Sequence, residues 1–172
     1  MKQTIDATSM LRVNQAGEYG AARIYAGQLA VLGDRQAVSR PIRKMAEQEA
    51  RHLEHFNVMV AERGVRPTAL QPLWHVAGFA LGAATALIGP EAAMACTVAI
   101  ETEIDAHYGA QLEELSGTDA ELESAIAEFQ TEELEHKATA LAQGAERAPA
   151  YPLMSAAIRL GCRAAIALSK RV

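Results

Sequence analysis

Six residues stand at spacings that suit a metal centre. Glu18 is followed, one helix length further on, by Glu49-x-x-His52, and Glu101 is followed at nearly the same distance by Glu133-x-x-His136. The halves repeat at an offset of 83 for the lone glutamates and 84 for both Glu-x-x-His pairs. Residues three apart on a helix share a face, so Glu49 and His52 can grip one ion, as can Glu133 and His136. One such pair is weak, because Glu and His are common on solvated helix faces. Two pairs, each preceded by a glutamate in near-equal register, are strong. Four carboxylates offset two divalent ions and leave a charge balance tolerable in a low-dielectric core. Mixed carboxylate and imidazole donors suit iron or manganese rather than thiolate-rich structural zinc, and iron is the expectation.

Such ligands need helices to carry them. Apolar positions recur at helical spacing through most of the chain. The pattern predicts helices over about residues 9–32, ended by Gly33, and 39–63, ended by Gly64, with Pro41 in the first turn of the second. A linker at 65–72 precedes a third helix at 73–88, which Gly89-Pro90 punctuates. A fourth spans 91–115. A fifth runs from Thr118 or Asp119, one of them its N-cap, to Gly144. A short sixth follows Pro149 and Pro152 and ends near Ser169. The fold expected is all-α: a four-helix bundle of the ferritin-like type with two additional helices, one uncharged and membrane-facing and one C-terminal, forming a single domain over 1–172. In that architecture two helices each give a glutamate and two give Glu-x-x-His, a known pattern for di-iron and di-manganese sites.

The six residues fall on apolar stripes. Ile42, Met45, Glu49, His52, Phe56 and Met59 line one face, and Leu122, Ile126, Phe129, Glu133 and His136 another. Leu11, Glu18, Tyr25 and Leu29 form a third, and Met94, Val98, Glu101, Ile104, Tyr108 and Leu112 a fourth. Unpaired burial of each carboxylate costs several kcal/mol or more, and few Lys or Arg lie at matching depth. Metal is the economical solution; a solvated bundle with chance Glu–His pairs is the bland alternative.

A formal charge of −5, with no basic cluster, argues against nucleic acid as partner. Cys96 and Cys162 are far apart and read as reduced thiols. The opening Met1–Asp6 lacks the apolar core of a signal peptide and the arginines of a transit peptide. From Pro67 to Pro90 there is no Asp, Glu, Lys or Arg, but the most apolar part is only 76–88. A helix in the membrane interface or at a subunit contact fits better than a bilayer span, with ordinary core as the alternative.

Around the ligands, Gln48, Glu132 and Asp105 are candidates to accept the outer N–H of the histidines. Tyr108, on the Glu101 face two turns further on, and its neighbour His107 are candidate catalytic residues that would move protons or electrons between substrate and metal. Tyr19 and Tyr25 read as core, His55 and His75 as surface or interfacial. Glu103 and His107, four apart, could hold a surface metal.

The run Arg12-Val13-Asn14-Gln15-Ala16-Gly17-Glu18-Tyr19-Gly20-Ala21, with Arg23-Ile24-Tyr25-Ala26-Gly27-Gln28 after it, closely resembles the opening of the demethoxyubiquinone hydroxylase family. So do Gln48-Glu49-x-x-His52-Leu53, Cys96-Thr97-Val98-Ala99-x-Glu101, His107-Tyr108, Glu132-Glu133-Leu134-Glu135-His136 and Gly161-Cys162-Arg163-Ala164-Ala165-Ile166. The resemblance spans nearly the whole chain. It implies that Glu18 and His52 bind one iron, Glu101 and His136 the other, and that Glu49 and Glu133 bridge them. It further implies a monooxygenase of ubiquinone biosynthesis that uses O₂ and two iron ions to hydroxylate a demethoxylated polyprenyl benzoquinol. The third helix would then dock on a membrane so that the lipid tail can enter. The expected setting is the cytoplasmic face of a bacterial cell membrane, with room for a reductant, a quinone-biosynthesis partner protein or a second copy of the chain. Two other classes compete: a ferritin-like ferroxidase, iron-storage or catalase protein with the same ligands, and a metal-free helical lipid-binding or scaffold protein.

Overall fold

The computed structural model describes residues 6–172; the reading of the N-terminal segment therefore lies, for residues 1–5, outside the described residues. Six α-helices account for most of the chain, and no strand occurs among the described residues. They are α1 (Ala7–Leu32), α2 (Ser39–Glu62), α3 (Gln71–Ile88), α4 (Pro90–Leu115), α5 (Ala120–Ala142) and α6 (Tyr151–Ser169).

Local chemistry sets the ends. Asp6 caps α1 by accepting from the Ser9 amide at 3.0 Å, which starts the helix slightly before the expected position. Asp119 caps α5 by accepting from the Leu122 amide at 3.2 Å, settling the choice between it and Thr118. Helix α5 stops at Ala142, short of Gly144, and the chain turns through a 3-10 segment, Ala145–Arg147. Pro152 lies in the first turn of α6, not before it, because a first-turn proline forfeits no helical hydrogen bond.

Helices α1 and α2 form one antiparallel pair, α4 and α5 the other, and the pairs face each other as a four-helix bundle. The core is split along the bundle axis. One apolar cluster gathers Leu11, Phe56, Met59, Leu115, Leu122 and Ile126. The other gathers Val38, Ile42, Met45, Met94, Val98 and Ala140. The glutamates and histidines of the repeat lie in sequence between these clusters on every helix, so a polar layer is sealed at both ends by apolar packing.

The two extra helices lie outside the bundle, α3 against α1 and α6 against α4. Glycines set the approach of α3. A β-carbon on Gly82 would overlap the Ile24 carbonyl oxygen, and one on Gly27 would overlap the Phe79 carbonyl oxygen. The outer face of α3 is open: Leu73, Val76, Leu87 and Ile88 are exposed, and only Gly82, Thr85 and Ala86 are buried. Ordinary core is thereby excluded for α3. No helix among the described residues is long and apolar enough to cross a membrane.

Gly82→Ala is expected to lower stability by about 2 kcal/mol, the usual scale of overpacking. Gly161→Ala, whose β-carbon meets nothing within 4 Å, is expected to be neutral or slightly stabilising. Thermal unfolding of the two variants side by side checks this; equal effects would mean that α3 does not depend on the glycine contact.

Candidate metal centre

Each ligand-bearing helix delivers its polar residue into the layer between the apolar clusters, and all six expected residues meet there. Glu18, Glu49, His52 and Glu133 form one buried group, and Glu49, Glu101, Glu133 and His136 form a second. Within each group the donor atoms lie within 4.8 Å of one another, and Glu49 and Glu133 belong to both. Both histidines turn Nδ1 inward. His52 Nδ1 is 3.0 Å from Glu133 Oε1 and 3.4 Å from Glu18 Oε2. His136 Nδ1 is 3.0 Å from Glu133 Oε2, 3.2 Å from Glu49 Oε1 and 3.7 Å from Glu101 Oε1.

These atoms approach without forming hydrogen bonds. Both oxygens of Glu49 and of Glu133, one each of Glu18 and Glu101, and Nδ1 of both histidines are buried with no hydrogen-bond partner. Orphaned buried polar atoms are rare, and here they converge. Donor atoms around a cation at about 2.1 Å are themselves about 3 Å apart when at right angles. The donor set therefore fits a pair of cations that share Glu49 and Glu133.

Without metal, protons must neutralise the layer. Against the penalty of burial, contacts with Glu133 and Glu18 raise His52 to about 10, and contacts with Glu101 and Glu133 raise His136 to about 10. Glu133, between two imidazoles, is held at about 2 although burial opposes it. Burial, with the charge of Glu133, lifts Glu101 to about 8 and Glu49 well above the carboxylate range.

Two tyrosines brace the layer crosswise. Tyr108, on α4, donates to Glu18 on α1. Tyr25, on α1, donates to Glu101 on α4 at 2.7 Å. Tyr25 is therefore more than the plain core residue that its apolar stripe suggests. Its place relative to Tyr108 repeats that of Glu18 relative to Glu101, an offset of 83 in both cases. That register is the signal in the sequence that marks it. Asn14 and Gln111, which exchange two 2.9 Å amide bonds in the core, carry no local signal, because the partners sit on different helices.

The outer shell differs in part from expectation. Glu132 reaches across to His52, 2.7 Å from its Nε2. Gln48 helps hold the charge of Glu132, and His136 Nε2 has no hydrogen-bond partner among the described residues. Asp105 bonds Gln130 at 2.8 Å and plays no such part. His107 sits beside Gln111 at 2.9 Å, and burial together with the Lys170 charge lowers it to about 4, so it is neutral at pH 7. A Glu103–His107 metal site is ruled out. Glu103 is buried and paired with Arg159 at 2.5 Å and Arg163 at 2.9 Å, an ion cluster that pins α6 to α4. Tyr19 is a half-buried partner of His75 at 2.6 Å, not core. Cys96 and Cys162 are free, with burial pushing both thiols up to about 12.

An apolar cavity of about 550 Å³ lies beside the centre, walled by α1, α3, α4 and α6. Gly17 and Ile100, the residues preceding Glu18 and Glu101, line it, with Gly20, Leu81, Ile104 and Ile158.

Fold and site together define a ferritin-like helical protein with a buried carboxylate–histidine layer fit to hold metal. The family described as "Ubiquinone biosynthesis protein COQ7" matches residues 6–169, and the chain belongs to it. It is 56% identical over 162 residues to the 3-demethoxyubiquinol 3-hydroxylase of Rhodospirillum rubrum, covering 94% of this chain and 76% of that protein. It is 55% identical over 166 residues to the NADPH-dependent 3-demethoxyubiquinone 3-hydroxylase, mitochondrial, of Rattus norvegicus, covering 94% and 76%. The 5-demethoxyubiquinone hydroxylase, mitochondrial, of Saccharomyces cerevisiae is 42% identical over 179 residues, covering 95% and 77%. These relatives favour a hydroxylase over the ferroxidase, storage or catalase alternative.

The metal-free protein should lose stability as pH rises. His52 and His136 bind protons more tightly folded than unfolded, so their contribution is complete below about 6.5 and is lost on approach to about 10. Glu101, raised to about 8, acts in the same direction from about 4.5 upward. Metal binding must expel these protons, so affinity should rise over the same range. Melting of metal-free protein at pH 6, 7, 8 and 9, with calorimetric proton release on metal addition, tests both; a metal affinity independent of pH would refute the assignment.

Proposed function

We propose that this chain hydroxylates the ring of a demethoxylated polyprenyl benzoquinol with O₂ in ubiquinone biosynthesis, at a di-iron centre. The observation that carries this reading is the pair of buried donor groups sharing Glu49 and Glu133 beside an apolar cavity. Glu18 and His52 would hold one iron, Glu101 and His136 the other, with Glu49 and Glu133 common to both. Bound there, the iron pair supplies the redox capacity that activates O₂ for attack on an electron-rich ring.

The chain's own residues do the rest. Tyr108 and Tyr25 fix the outer glutamates through their hydroxyls, and burial with the neighbouring carboxylates keeps both phenols protonated. The Tyr108 hydroxyl thereby remains a hydrogen-bond donor to Glu18. His107, neutral and beside Gln111, orients the Gln111–Asn14 pair next to it. Phe129 stacks on His52 at 4.1 Å and, with Phe56, excludes water from that side. The cavity takes the apolar substrate, with Gly17 and Gly20 leaving room along α1. The exposed apolar residues of α3, with Leu153 and Leu160 of α6, rest on a membrane surface and let the lipid tail enter. The setting is peripheral, at the cytoplasmic face of a bacterial membrane. Ring hydroxylation also consumes an electron pair and a pair of protons, which an external reductant provides.

Purified protein is expected to carry two irons per chain and to hydroxylate the quinol, and Glu133→Ala to abolish both. Full iron loading without quinol hydroxylation would sink the reading. Gly20 lines the cavity and a β-carbon there meets nothing within 4 Å, which makes Gly20→Leu the variant to narrow it. That variant should keep iron content and turnover of a short-tailed quinol while raising KM for a long-tailed one about tenfold, ~1.4 kcal/mol. Equal effects on both quinols would remove the cavity from the substrate path.

A further inference from the structure

The repeat makes the six candidate ligands and the two tyrosines of the halves copies of one another, while the residues around them differ. Glu18 and Glu101, Tyr25 and Tyr108, Glu49 and Glu133, His52 and His136 all correspond at offsets of 83 or 84. At the same offset Glu132 corresponds to Gln48, a carboxylate against an amide. The consequence is visible at the outer nitrogens. His52 Nε2 lies 2.7 Å from Glu132 Oε2, and that carboxylate is steadied by Arg51 at 3.1 Å. His136 Nε2 is buried and meets no hydrogen-bond partner among the described residues.

We propose that Glu132 makes the two metal positions unequal, so that the position served by His52 and Glu18 fills first and binds more tightly than the position served by His136 and Glu101. A carboxylate that accepts Nε2–H fixes the tautomer with the Nδ1 lone pair facing the centre. It also makes the imidazole a stronger donor. His52 has that help and His136 does not. Glu132 touches no metal in this arrangement; it is a positioning residue that acts through His52.

The inference rests on the metal-centre reading of the proposed function. It is tested by stepwise anaerobic titration of the metal-free full-length chain with Co(II), followed by visible absorption. The wild type should bind two ions in separate steps at least about tenfold apart. Glu132→Gln, which installs the amide its counterpart carries, should weaken binding at the His52 position about 10- to 100-fold, so that the first step weakens and the two steps merge or exchange order. Glu132 has 21% of its side chain exposed and the exchange conserves shape, so folding is preserved, as circular dichroism would verify. Arg51→Ala, which leaves the Glu132–His52 contact, should change neither step. His136→Ala should retain the tight step and His52→Ala should lose it. Two equal steps in the wild type, an unaffected first step in Glu132→Gln, or the same loss in Arg51→Ala would overturn the inference while leaving the metal centre standing. Failure of the wild type to bind cobalt at all would overturn both.

Discussion

Four carboxylates are packed into the middle of a helical bundle, and among the described residues none of them pairs with a lysine or arginine. Like charges within about 4 Å repel by several kcal/mol even at an effective dielectric constant near 20. The fold must therefore supply positive charge to that layer, and its means are two histidines and whatever cations the layer holds. The rest of the molecule is arranged around this constraint. Apolar clusters close the layer at both ends, so water does not screen it. Tyr25 and Tyr108 cross between α1 and α4 to hold the outer glutamates, and each phenol contributes a donor and no charge. Glu49 and Glu133, common to both donor groups, sit on α2 and α5. None of these side chains could be exchanged for an apolar one without unbalancing the others.

The outer helices solve a different problem. A sealed four-helix bundle would keep substrate out as well as water. Backbone contact through Gly27 and Gly82 brings α3 tightly onto α1, while Glu103 with Arg159 and Arg163 fixes α6 to α4. Between these two attachments the walls part, and the apolar cavity opens beside the residues that precede Glu18 and Glu101. Glycines at 17, 20, 78 and 161 line it. The same residue type serves as contact on one stretch of α1 and as free space on another, according to what lies opposite.

The residues that meet in the layer were legible in the sequence because each Glu-x-x-His lies within one helix, where spacing alone fixes geometry, and because the pattern occurs twice. Helix ends were legible at Gly33, Gly64 and Pro90 for similarly local reasons. Interactions between helices were not. Tyr25 looks like a core residue until Glu101, far away in sequence, is placed against its hydroxyl. Glu103 and His107 look like a pair because they share a helix, but Arg159 and Arg163, distant in sequence, claim the glutamate first. The cavity is a product of α3 and α6 being held apart, which no single segment encodes.

The repeat joins these threads. Two copies of a helix pair, each bearing one glutamate and one Glu-x-x-His, cannot satisfy their own buried carboxylates in isolation. Facing one another, they do so jointly, since a Glu49 shared with the second group requires a Glu133 shared with the first. Pairing of the copies and assembly of the layer are thus one event, and pseudo-symmetry follows from it without further design. Symmetry, however, is a property of the layer alone. Beyond it the copies are free to diverge: α3 and α6 differ in how they attach, and Glu132 stands where the other copy has Gln48. The layer itself tolerates little change because every member balances another. Differences between its halves are therefore introduced from one shell out, where a single carboxylate can alter a histidine without disturbing the charge balance that holds the bundle together.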